Sequence, residues 1–233
     1  YGCGDPSQWV QQGDHVLGLG SGGGKICYIA SQVVGADGRV TGVDMNENML
    51  ALARQYQSEI CSKIGWDNIT FHKGKIQDLK LDMQEFEKWL QDNPAADSQS
   101  WLQAEQQAEK LRLTRPMIAD NSIDVVVSNC VLNLVNPNDR LQLFTELFRV
   151  LKPGGRAVIS DIVSNQPVPA AMQNDATLWS GCISGAFEDR TFIQAFVDAG
   201  LGKVEILSRQ SEPWQVVEGI EFRSMTLRAW KPL

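Results

Sequence analysis

Histidine is nearly absent from this sequence of 233 residues, which holds His15 and His72 and no other. Oxygen and carbon acceptors ordinarily need a proton acceptor poised near neutrality, and both histidines fall inside apolar, strand-like runs rather than in loops. Their scarcity leans toward chemistry that moves few protons, with Asp161 and Glu188 as the carboxylates able to act as a base. Basic residues are also short, 21 against 28 acidic, and they are scattered over a chain of net charge -7. Nucleic acid is therefore not expected as a partner. No apolar run reaches the roughly eighteen residues that would span a bilayer, and no basic-then-apolar leader precedes the first strand. A soluble, cytoplasmic protein with no membrane partner is expected, and a first residue of Tyr1 in place of Met is what a sequence lacking an N-terminal piece would show. Paired C-x-x-C spacing is missing too, which argues against a structural zinc.

What is present is a chain 43% hydrophobic, enough for one large core. Apolar runs of strand length at 15–19, 39–43, 69–72, 123–128 and 156–160 alternate with helical periodicity at 25–34, 47–64 and 139–151. That alternation predicts a parallel sheet covered by helices on both faces. The interval around 80–119 is too long for an ordinary crossover. Met83, Phe86, Trp89 and Leu90, then Trp101, Leu102, Ala108 and Leu111, recur at helical spacing on either side of a capping "ADSQS". A helical insertion is expected there, serving as a lid or only as a surface elaboration. Beyond Ser160 come a loop-rich stretch with Pro167, Pro169 and Gly181, a helix over 189–199, and strands over 204–208 and 222–230.

"VLGLGSGGGK", residues 16–25, follows the first strand and opens the first helix, so its amides face whatever binds at the strand ends. Gly18, Gly20 and Gly23 match G-x-G-x-x-G, and Asp44 closes the second strand where a ribose-binding acid is expected. The pattern alone fits a nicotinamide dinucleotide or an adenosyl cofactor equally, and Asp44 before "MNENML" also reads as a helix cap. The loop nominates Gly20, Ser21 and Gly22 for one end of the cofactor, Asp44 for ribose hydroxyls and Met45 for the base.

Five cysteines, an odd number in a long chain, are expected as free thiols. Cys27 and Cys61 fall inside helical patterns and read as small core residues. Cys3 in "YGCG", Cys182 in "LWSGCISGAF" and Cys130 just past the fourth strand sit in loops, where an apolar sulfur is poorly buried. If the three meet, they form an all-thiolate site for a soft centre of three-fold coordination with a lone pair, and trivalent arsenic fits.

"VLGLGSGGG", "VTGVDM" and "FRVLKPGGRAVISD" resemble the class I S-adenosylmethionine methyltransferases, which favours that cofactor over a dinucleotide. Together with "YGCG", "DNSIDVVVSNCVLNL", "LWSGCISGA" and the closing "EGIEFRSMTLRAWK", the motifs resemble the arsenite methyltransferases over most of the chain except 80–119. The resemblance implies an α/β fold with a Rossmann-like doubly wound sheet, mostly parallel with an antiparallel C-terminal strand, in a single domain over 1–233. Substrate-side loops are expected at 162–190 and 208–222. In that family the cysteines matching Cys3, Cys130 and Cys182 bind arsenic, and the residue matching Ile76 lies near the adenine; Asn129 is expected to orient the methionine end, and Tyr1, Trp179 and Glu188 to wall the substrate pocket. Gly18 stands in the cofactor-binding loop where the family usually has an acid that helps order the methionine end; its absence removes a supporting contact and leaves the amide cradle. A further N-terminal cysteine of a disulfide relay has no counterpart in these residues. S-adenosylmethionine and an external thiol reductant of glutathione or thioredoxin type are the implied cofactors. A monomer acting on a small metalloid substrate in detoxification is expected. The alternatives are methylation of a small organic acceptor, as in the ubiquinone-pathway enzymes, and a metalloid-binding relative without turnover.

Overall fold

The alternation of apolar runs with amphipathic segments builds one sheet in the computed structural model, which describes residues 3–233. Its strands are β1 (His15–Leu19), β2 (Arg39–Asp44), β3 (Ile69–Lys73), β4 (Ile123–Asn129), β5 (Leu151–Ser164), β6 (Phe187–Glu188), β7 (Gly202–Arg209), β8 (Gln215–Val217) and β9 (Ile220–Trp230). They run in the order β3-β2-β1-β4-β5-β9-β7, with β6 beside β5 and β8 beside β9. Strands β1 to β5 pair in parallel, and β9 lies antiparallel between β5 and β7. The order reverses between β1 and β4, so a crevice opens beyond their carboxyl ends.

Burial on both faces explains why β1, β4 and β5 read as continuous apolar runs rather than alternating ones. Leu17, Val126 and Ile159 point to one side, where α5 (Arg140–Val150) and α8 (Asp189–Asp198) contribute Leu143, Leu147, Phe192 and Phe196. Their neighbours Val16, Val125, Val127 and Val158 point to the other, against α1 (Lys25–Val34) and α2 (Glu47–Ile64). Cys27 and Cys61 belong to that second layer, as core residues. Two differences from the sequence reading have local causes. The ladder with β4 reaches back across Pro153 and Gly154 by a register shift, lengthening β5. Two short helices, α6 (Ala170–Gln173) and α7 (Ala176–Ser180), form within the proline-containing stretch read as loop, α7 capped by the Asp175 carboxylate.

The long interval holds α3 (Met83–Asp92) and α4 (Ser98–Thr114), the second started by a capping box between Asp97 and Ser100. Its two ends are tied together at the base, where the amides of Ile118 and Met117 donate to the carbonyls of Leu79 and Lys80. The buried Glu146 carboxylate accepts from the Leu79 amide and from Arg149, whose guanidinium also donates to Ile118 O and Asp120. A pair this enclosed stabilises only while complete. No helix among the described residues is long and apolar enough to cross a membrane. Glu146→Ala leaves the Leu79 amide buried without its acceptor and Arg149 with Asp120 as its remaining carboxylate, and is expected to lower unfolding stability by roughly 2 kcal/mol in urea titrations.

Candidate functional site

The loop after β1 is shaped by its close approach to β4. Gly20 has φ 63°, and a Cβ there would fall 2.5 Å from the Val131 methyls. Gly22, with φ 52°, donates its amide to Asp44 Oδ2 at 2.8 Å. The other Asp44 oxygen accepts from Asn46 N at 2.8 Å, while Asn46 itself caps α2 by accepting from the amides of Asn48 and Met49. Capping therefore falls to Asn46, and Asp44 braces the glycine loop at the end of β2. Met45 beside it is 63% exposed, and Ile76 is buried near Leu79. Ser21 donates its amide to Val43 O, but its hydroxyl is buried without a partner. Ser21 borders a cavity of about 330 Å³ that also touches Gly18, Lys25 and Asn129. A Cβ at Gly18 would meet Cys27 Sγ at 3.0 Å, so the thiol fills the space a side chain would need.

Asn129 ends β4 and faces two ways. Its Oδ1 accepts from Cys3 N at 2.8 Å, and its Nδ2 donates to Gly4 O at 2.6 Å. The amide expected to orient a cofactor thus holds the segment carrying Cys3. It also walls a second cavity of about 520 Å³, lined by Cys3, Cys130, Cys182 and Trp214. The three loop cysteines therefore share one chamber, with Asn129 between it and the cavity at the glycine loop.

Within it Cys3 and Cys130 are paired as a disulfide, with Cα atoms 6.0 Å apart, so the expectation of free thiols holds for Cys27, Cys61 and Cys182 and fails for these two. Sequence spacing could not reveal the pair, because its partners are 127 residues apart. Cys182 Sγ donates to Cys130 O at 3.4 Å. Burial, and after it the charge of Asp161, pushes the Cys182 thiol up to about 11. Cys130 and Cys182 have φ of 57° and 61°, a left-handed conformation that costs a side-chain-bearing residue about 1–2 kcal/mol and glycine nothing. Such outliers gather where a side chain is needed in spite of the backbone.

Beneath the chamber lies Asp161, fully buried, with a carboxylate oxygen and the sulfurs of Cys3 and Cys130 all within 4.8 Å of one another. It accepts from the amides of Leu132, Asn133 and Ile162. Desolvation outweighs these and the Arg140 charge, pushing its carboxyl up to about 7.

Other candidate residues sit elsewhere. Trp179 lies on α7 and does not line the chamber, although its carbonyl accepts from Cys182 N; the indole at the wall is Trp214, half exposed on the approach to β8. Nothing in the sequence around Trp214 signals this, since the segment reaches the chamber only by pairing with β9. Glu188 borders a different cavity, with Asp189 and Arg209. Tyr1 lies outside the described residues.

A family profile described as "Methyltransferase domain" matches residues 11–116 and 105–210, most of the chain. The arsenite methyltransferase of Halobacterium salinarum is 34% identical over 88% of this chain and 42% of its own length. That of Mus musculus is 31% identical over 99% of this chain and 54% of its own. The chain thus spans about half the length of these curated relatives. Among solved structures, an arsenic(III) S-adenosylmethionine methyltransferase from Chlamydomonas reinhardtii superposes with a TM-score of 0.75 at 27% identity, covering 100% of this chain and 68% of the other. With the sheet order, the glycine loop and the profile in agreement, the chain belongs to the methyltransferase domain family.

Proposed function

We propose that this chain transfers a methyl group from S-adenosylmethionine to trivalent arsenic held by the thiolates of Cys3, Cys130 and Cys182. The observation that carries this reading is the meeting of these cysteines at one chamber, which shares Asn129 with the cavity lined by the glycine loop. The names of the relatives support the same substrate. The residues present suit the cofactor: the Ser21 hydroxyl is buried without a partner, and the Asp44 carboxylate stands at the end of β2. Gly20, Ser21 and Gly22 would hold its methionine portion, and Asp44 its ribose. When bound, it supplies a methyl group on a sulfonium.

Arsenic(III) brings its own lone pair, so the chain has to align acceptor with donor rather than deprotonate the acceptor. Loading proceeds by exchange, each As–OH and Cys–SH giving As–S–Cys and water. Asp161, titrating near neutrality beside two of the sulfurs, takes the thiol proton and returns it to the leaving hydroxide. The Cys3–Cys130 disulfide has to open first. Two thiols of glutathione or thioredoxin type are oxidised to a disulfide, and each cysteine gains a hydrogen. A reducing cytoplasm and a detoxifying role suit this demand.

Purified protein given arsenite, a dithiol and methyl-labelled cofactor is expected to yield methylated arsenic. Cys182→Ser is expected to lose about 100-fold or more of that transfer while binding S-adenosylhomocysteine as the parent does, and retained transfer would sink the three-thiolate site. Arsenite is expected to quench Trp214 fluorescence, read as the difference from Trp214→Phe, only after the dithiol is added. Quenching without reduction would mean that Cys3 and Cys130 are not needed. Because burial lifts the Asp161 carboxyl from the ordinary 3.8 to about 7, its contribution to native stability is complete below about pH 4 and is lost as pH rises through 7. Asp161→Asn is expected to flatten this decline, worth on the order of 4 kcal/mol at most, in urea midpoints measured from pH 4 to 8.

A further inference from the structure

The cavity bordered by Ser21 carries one charge of each sign: Lys25, opening α1, and Asp5, on the segment behind Cys3. The cavity has no acid on its sheet side, because residue 18 is glycine and Cys27 Sγ occupies the room a longer residue would need. Asp5 is the carboxylate that borders it. Its Oδ1 accepts from the amide and hydroxyl of Ser7, starting the 3-10 turn Pro6–Trp9, and leaves Oδ2 for a ligand. Asn129 fixes the adjoining Gly4 carbonyl at 2.6 Å, so the carboxylate is held by tertiary contact and not only by its own turn.

We infer that Asp5 recognises the α-ammonium of the cofactor's amino-acid end, with Lys25 facing its carboxylate. The inference rests on the reading of this cavity as the methionine end of the S-adenosylmethionine site. A zwitterionic amino acid presents an ammonium and a carboxylate two bonds apart, and a cavity with one acid and one base matches it charge for charge. In this chain the anion that the glycine loop omits at Gly18 comes from the strap that also delivers the first thiol. Ordering Cys3 and completing the cofactor cavity are then one event.

The test is calorimetric and needs no turnover. S-adenosylhomocysteine has the amino-acid end, whereas 5′-methylthioadenosine lacks it. Asp5→Asn keeps the Oδ1 acceptor, and Asn caps as well as Asp, so the turn stays intact while the charge is lost. With the full chain, the variant is expected to bind S-adenosylhomocysteine about tenfold more weakly and 5′-methylthioadenosine unchanged. Equal affinity of parent and variant for S-adenosylhomocysteine overturns the inference. An equal loss for both probes also overturns it, since the residue would then act only through the fold. Failure of the parent to bind either probe overturns the reading of the cavity itself.

Discussion

The amide of Asn129 closes this molecule across more than half its length. It is the group that can receive the Cys3 N–H and serve the Gly4 carbonyl at once, because only a carboxamide offers an acceptor and a donor side by side. An aspartate could take the first bond and would repel the carbonyl; a leucine could make neither. Closing a loop of this length is entropically costly, and the disulfide at Cys130, next in sequence, shares that cost by linking the same two segments. Once the disulfide is open, this amide is what ties Cys3 to the thiol chamber and Gly4 to the neighbouring cavity.

The backbone around the chamber is built to tolerate what Asn129 brings together. Cys130 turns left-handed immediately after β4, with its amide still donating to Ser160 O at 2.8 Å. Two amides just beyond it, of Leu132 and Asn133, would be stranded inside the protein, and Asp161 receives both. A buried carboxylate thus repairs the break in the ladder that the cysteine turn creates. Its proximity to the sulfurs follows from that structural duty.

Most of the architecture could be read from the sequence because local and tertiary preferences agree. β1, α1 and α2 have the expected bounds, since each is an apolar run ending at Gly or an acidic or amide cap. The paired helices of the insertion were equally plain, as "ADSQS" holds a complete capping box. What escaped depends on contacts between distant residues. The Cys3–Cys130 pair, the strap-holding role of Asn129 and the arrival of Trp214 at the chamber each follow from sheet order, which no local window encodes. Trp179, chosen for its nearness to Cys182 in sequence, shows the same: it sits on α7 and does not line the chamber that the next loop enters.

The glycine at 18 gains its meaning from the same tertiary view. On the sheet it removes an acid; in the fold it lets α1 seat Cys27 against β1, where burial pushes the thiol up to about 12 and keeps it a neutral packing group. The floor of the cofactor cavity is therefore uncharged, and the charges belong to its rim, at Asp5 and Lys25. Rim charges are exposed to solvent and so are screened by salt, whereas a floor acid would not be. On the proposed reading, in which Asp5 and Lys25 take the amino-acid end, that end is held more weakly as salt rises. The same reading couples the cofactor's grip to the strap, because the strap sets where Asp5 stands.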